Sequence, residues 1–180
     1  MNKNFMYGLG ALKYKGNTVG YVAKDSFDLG GTKPESTKIE AEQVPGVPVL
    51  VIAQSNGKIA PKFDMIKLNF ESLQQLLGGT LQKKGEAVVG WTAPVNAVVL
   101  EGPWQFDLVS GQSILIPNAT LLSDLGGKLT LTETAKIEVE LEVTMASAGN
   151  IPPYGIYETG SIPDEWSEEK GWLLPAASES

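Results

Sequence analysis

Glu138, Glu140 and Glu142 alternate with Ile137, Val139, Leu141 and Val143, and they form the one constellation whose residue types and spacing suit chemistry. Converging carboxylate oxygens bind calcium or magnesium at tight geometry. Two carboxylates on separate elements act as acid and base on a glycoside when they flank a cleft. Residues two apart on a strand do neither alone, because their side chains stand in a flat row. No Asp-Gly-type loop accompanies them. A solvated strand face is the simpler reading. The sharper one is an acidic surface with an electrostatic role, such as repelling nucleic acid so that it slides past.

Other chemistry is thin. The pairs Gly30-Gly31, Gly78-Gly79 and Gly126-Gly127 are not followed by Gly-Lys-Ser/Thr and do not fit G-x-G-x-x-G, so they read as turn and cap glycines rather than phosphate cradles. Asn118-Ala119-Thr120 matches the glycosylation sequon but lacks a secretion signal to give it meaning. Four Trp and five Tyr would suit a sugar-binding platform, yet they are spread along the chain and fit core or interface packing better. The sequence contains no Cys, no His and no Arg; all fourteen basic residues are Lys. Thiolate chemistry is thereby excluded, and so are the commonest acid/base and metal ligand and the planar bidentate grip on phosphate or guanine. A net charge of −7 has the wrong sign for gripping nucleic acid. These features point away from an enzyme and toward a structural or binding protein without cofactor or metal.

The elements around the carboxylate row read mainly as strands. The 180 residues, 42% hydrophobic and 19% charged, suit one domain with a full core. No apolar run approaches the roughly 20 residues that cross a bilayer. The opening apolar stretch is broken by Gly8 and Gly10 and runs into Lys13 and Lys15, which suits a strand and not a signal peptide. Phe5–Tyr14 and Thr18–Ala23 flank a turn at Lys15-Gly16-Asn17 and make a hairpin. Asp25–Lys38 reads as a long polar loop, functional or mobile. Ile39–Glu42 reads as a short strand, Val49–Ala53 as a strand buried on both faces, and Lys58–Leu68 as a strand whose Pro61 marks an edge or bulge. One helix is predicted over about residues 70–77, capped by Asn69, stapled by Leu68 and Leu73, and stopped by Gly78-Gly79.

Strands resume at Ala87–Trp91, at Val98–Val109 with a break at Gly102-Pro103, at Ser113–Ile116 and at Leu121–Leu125. Lys136–Met145 carries the strictest alternation. The chain thus divides into a β domain over residues 1–150 and an acidic extension over 151–180. Glu158–Ser180 holds six acidic residues against Lys170, five of the seven net negative charges. Trp166 and Trp172 require this tail to lie on its own core or dock on a neighbour.

Three stretches give the chain a family likeness. They are Tyr7-Gly8-Leu9-Gly10 turning into Val19-Gly20-Tyr21-Val22, the segment Pro34–Gln43, and Ile66–Gly79, a strand leading into a leucine-rich helix and Gly-Gly. Over about its first half the chain resembles the tail tube (major tail) proteins of tailed phages, related in fold to the tube proteins of contractile injection and type VI secretion systems. The resemblance implies an antiparallel two-sheet sandwich or barrel with one flanking helix, and hexameric rings stacked into a conduit for DNA. It implies copies of itself and other tail components as partners, DNA that passes without specific binding, no membrane, and a virion tail made in the cytoplasm of a bacterial host. Within it, Glu138, Glu140 and Glu142 become candidates for the channel wall. The alternative places them on the exterior or beneath the C-terminal segment. Gly30, Gly31, Thr32, Lys33, Pro34 and Glu35 become a candidate inter-subunit loop. The competing reading is a monomeric β-sandwich module that binds a glycan or another ligand through its aromatic residues.

Overall fold

The computed structural model describes residues 4–54, 56–146 and 151–173. Its main sheet is antiparallel and begins with the hairpin β1 (Leu9–Tyr14) and β2 (Asn17–Thr18). β1 pairs with β8 (Leu100–Leu108), β8 with β9 (Gln112–Gly126), β9 with β10 (Lys136–Val143), and β10 with β5 (Lys62–Met65). β11 (Gly155–Glu158) adds to β9 beyond the end of β10. Mainly antiparallel β-structure with one short helix is therefore what the sequence implied. Among the described residues the ladder does not close into a barrel.

Aromatic packing makes this sheet curl. Phe63 on β5 lies 5.8 Å from Trp104 on β8, ring centre to ring centre. The two strands are three positions apart, roughly 14 Å in a flat sheet. Tyr14 stacks on Trp104 at 4.5 Å, and Phe27 joins Phe106 at 5.2 Å. The chain after β2 stitches the curled ends together. Val22 bridges Met65 and Asp28 bridges Lys62, with Asp28 and Lys62 exchanging amide–carbonyl hydrogen bonds of 2.9 and 2.7 Å. Asp25–Lys38 is thus less a free loop than a partial strand along β5, and its last residues already belong to β3 (Ser36–Ile39).

Helix α1 (Phe70–Leu77) has the predicted bounds. Asn69 Oδ1 accepts the Ser72 amide at 2.8 Å. Leu76 is fully buried, with Leu73 and Leu77 packed against the same core. The helix ends at Gly78 (φ 74°), whose carbonyl accepts the Trp91 indole N–H at 2.8 Å. Gly79 (φ 86°) has no room for a side chain, since a Cβ would fall 2.2 Å from the Thr92 carbonyl. The helix packs on β9, where the Ser123 hydroxyl donates to the Leu76 carbonyl, and on the hairpin of β6 (Thr80–Lys84) and β7 (Ala87–Thr92). β6 was not anticipated, because Thr-Leu-Gln-Lys-Lys has little apolar alternation.

Four expectations need correction. Ser113–Ile116 and Leu121–Leu125 belong to a single fifteen-residue strand, β9. Val98–Val109 is likewise one strand rather than two, running from Leu100 to Leu108. The prolines sit together at one bulge, where Pro117 and Asn118 stand opposite Pro103, a place that needs no ladder amide from either proline. Ile39–Glu42 is displaced: the strand is Ser36–Ile39, and residues 40–48 form turns. Lys58–Leu68 contributes only Lys62–Met65 as a named strand.

One further correction bears on function. The run Val49–Ala53, read as buried on both faces, forms β4 (Leu50–Ala53), which pairs only with β3. β3 and β4 pack chiefly on each other. Val49, Leu50, Val51 and Ile52 are 51%, 50%, 53% and 46% exposed. A continuous apolar run signals two covering layers, and the described residues supply neither.

Two substitutions test the helix and its seat. Asn69→Ala is expected to cost about 1 kcal/mol through loss of the cap, and Leu76→Ala roughly 2–5 kcal/mol through the cavity it leaves. Urea unfolding of both variants measures this. A loss at Leu76 below that range means α1 does not seal the core.

Candidate functional site

The carboxylate row stands on the outer face of β10, because Ile137, Val139 and Leu141 take the inner face. The side chains of Glu138, Glu140 and Glu142 are 56%, 45% and 58% exposed, so the row is open in the monomer. It is not bare. Lys136 Nζ lies 2.8 Å from Glu138 and 2.7 Å from Asp64, Lys62 lies 3.1 Å from Glu140, and Lys58 lies 3.8 Å from Glu142. The hydrogen bonds to Asp64 and then Glu138 hold the Lys136 ammonium well above the ordinary lysine pKa. Asp124 on β9 faces the same way, opposite Glu138. The face therefore carries five carboxylates against three lysines, acidic but laced with cations. Exposed pairs of this kind add little stability. What they do is hold the long lysines flat over the sheet. Among the described residues, no group of three or more carboxylates is placed to hold a metal ion.

The outer face is shared between this row and the C-terminal segment. The boundary drawn at residue 150 lies outside the described residues, as does the end of the chain beyond 173. What is described folds onto its own sheet. After β11 and a short turn at Thr159–Ser161, β12 (Trp166–Ser167) and β13 (Gly171–Trp172) make a small hairpin. Trp166 and Trp172 meet edge to face at 5.4 Å, and Tyr157 meets Trp172 at 5.9 Å. This strap sits over Gln105, Ser113 and Pro117. The Trp166 indole donates to Gln105 Oε1 at 2.9 Å, and Gly171 approaches Pro117 too closely to admit a side chain. Lys13 clamps its edge, 2.5 Å from Glu168 and 3.6 Å from Asp107. The hydrogen bond to Glu168 raises the Lys13 pKa, desolvation opposes it in part, and Asp107 adds to it.

The residues Gly30 to Glu35 are all exposed but not equivalent. Gly30 and Gly31 lie tight against Ala60 and Lys58, with room for no Cβ, and Thr32 bridges Lys58. They anchor the segment to the body. Lys33, Pro34 and Glu35 then lead outward into the β3–β4 arm. Its register puts Ile39, Thr37, Leu50 and Ile52 on one face and Ser36, Lys38, Val51 and Ala53 on the other. The first face is apolar but for one Thr.

Two features escaped the sequence. The arm's exposure is one, although the Pro45-Gly46 turn between two short strands signalled a separate hairpin. The other is an open cleft of about 1090 Å³, lined by Met6, Tyr7, Leu9, Tyr21, Phe27 and Leu29 among others. Tyr7 and Tyr21 are 52% and 71% exposed at its mouth, and Lys67 lies over the Tyr21 ring. The cleft joins residues from opposite ends of the curled sheet, which no local pattern reveals. No helix among the described residues is long and apolar enough to cross a membrane. The chain matches no known protein family and no curated protein.

The clamp at Lys13 predicts an alkaline transition. A lysine whose folded pKa is raised stabilises fully below its ordinary value of 10.5 and loses that contribution as pH climbs through the raised value. Near-ultraviolet circular dichroism of the Trp166–Trp172 pair is expected to change in that range in the parent and to lack that step in Lys13→Met. Superimposable pH curves would remove Lys13 from the clamp.

Proposed function

We propose that this chain is a non-enzymatic structural subunit that assembles with copies of itself into hexameric rings, stacked as a tail tube that conducts DNA. The observation that carries the reading is the β3–β4 arm. A two-stranded hairpin is at best marginally stable alone in water. This one also turns an apolar face of Ile39, Leu50 and Ile52 to solvent. Such a surface asks for a partner. When an arm on one copy docks on a different surface of the next, the contact is heterologous and propagates into rings or filaments.

The ring and tube geometry come from the resemblance to tail tube proteins in Tyr7–Gly10, Pro34–Gln43 and Ile66–Gly79. In that setting the acidic face around Glu138, Glu140 and Glu142 lines the channel. Its lysines are held by carboxylates, which leaves a wall of net negative charge that DNA passes without binding. Other tail components are further partners, and the virion tail is the location. The cleft beside Tyr7 and Tyr21 favours a second reading, a monomeric module for a glycan or another ligand.

Negative-stain electron microscopy at high protein concentration, with light scattering, separates the two. The parent is expected to form rings or tubes, and Leu50→Lys/Ile52→Lys to stay monomeric with an unchanged melting temperature. A parent that remains monomeric at every concentration, or a double variant that assembles as well as the parent, overturns the proposal. Replacing Glu138, Glu140 and Glu142 by Lys is further expected to make assembled tubes retain DNA in a salt-sensitive way. Cryo-electron microscopy locates that DNA, and density on the outer surface alone excludes the channel wall.

A further inference from the structure

The arm ends in Glu40-Ala41-Glu42-Gln43-Val44-Pro45-Gly46-Val47-Pro48-Val49. Gly46 (φ 96°) closes a tight turn with Pro45, and Val44 N–H donates to the Ala41 carbonyl at 3.0 Å. Val44 and Val47 project from this tip at 43% and 59% exposure. Two prolines leave the tip short of backbone donors, so it makes few hydrogen-bonding demands on whatever receives it. Glu40 and Glu42, just behind it, are exposed and form no ion pair among the described residues.

The cleft has the complementary character. Its walls are largely aliphatic and aromatic, and at about 1090 Å³ it is an open cleft, slightly larger than the pockets that bury most of a small ligand. The exposed rings of Tyr7 and Tyr21 offer flat faces to proline and valine at low entropic cost. Its rim carries Lys24, Asp25, Asp28 and Lys67. Asp28 accepts the Gly30 amide at 2.9 Å, and among the described residues Lys24 and Lys67 hold no carboxylate. The tip therefore brings two carboxylates to a rim where Lys24 and Lys67, the latter over the Tyr21 ring, stand beside Asp25 and Asp28 and can each take one.

From this match we infer that the Val44–Pro48 tip of one copy seats in the Tyr7/Tyr21 cleft of another, with Glu40 and Glu42 meeting Lys24 and Lys67. The inference rests on the assembly reading above and names the surface that receives the arm. The contact joins unlike surfaces, so each copy gives one tip and accepts one.

The absence of cysteine makes the test clean. Val47→Cys and Met6→Cys place single thiols at the tip and in the cleft. A sample mixing the two full-length chains, one tagged to shift its gel mobility, is oxidised mildly. Circular dichroism checks that each variant keeps its fold. Several-fold more heterodimer is expected from this mixture than from Val47→Cys mixed with Val95→Cys, whose thiol is exposed outside the cleft. Heterodimer at or below that control overturns the pairing. Oligosaccharide binding to the cleft without heterodimer overturns it as well and assigns the cleft to a ligand. Electron microscopy of the unsubstituted chain reads the broader proposal separately. Tubes without heterodimer leave assembly standing and remove this contact, whereas heterodimer without rings or tubes supports the contact and removes the tube.

Discussion

The rings of Tyr14, Phe27, Phe63, Trp104 and Phe106 form one connected cluster, and the rest of the molecule depends on it. Aromatic pairs add about 0.5–1.5 kcal/mol each beyond the area they bury. More important here is where they come from: β1, β5, β8 and the segment after β2. Drawing those rings together bends an open sheet until its first and last strands approach. The bend creates the inner face that α1 seals. It also leaves the mouth between Tyr7 and Tyr21, because the ends are stitched by single bridges rather than a continuous ladder.

The curl divides the outer surface by chemistry. On one half of β9, Ser113, Leu115 and Pro117 lie under the strap, which brings its own small aromatic core of Tyr157, Trp166 and Trp172. On the other half, Thr120, Leu122 and Asp124 run alongside the glutamates of β10 and stay open. The proline bulge marks the division. The described part of the C-terminal segment, up to Leu173, thus covers one region of the sheet, and the acidic row lies outside that region.

Local signals were legible wherever local physics decides the outcome. Asn69, the leucines at helical spacing and Gly78-Gly79 set α1 to the residue, since capping and a left-handed stop are properties of a few neighbouring residues. The alternation in Ile137–Val143 likewise gave both the inner face and the glutamate row. Signals failed where a distant partner decides. Ser113–Ile116 and Leu121–Leu125 read as two strands because the bulge that joins them forms against Pro103 in another strand. Val49–Ala53 looked like core because hydrophobicity reports a need for cover and not which molecule supplies it. Two of the three lysines that temper the glutamates, Lys58 and Lys62, come from β5 and its approach, more than seventy residues away in the chain for Lys62 and Glu140.

Leu9 pairs with Leu108, and β5 waits for β10. Such long-range pairing makes for slow folding. During synthesis from the N-terminus, the arm leaves the ribosome before β8, β9 and β10 exist, so its apolar residues meet the crowded cell before the body does. The same stretch holds the restraints that natural chains place beside sticky strands: Lys38, Glu40 and Glu42 on one side and Pro45 and Pro48 at the turn. Charge and proline hinder cross-β stacking of nascent arms with one another without covering Leu50 and Ile52, which stay about half exposed in the folded chain. The order in which the chain emerges thus sets those charges and prolines beside the apolar strands well before the body that follows them can fold.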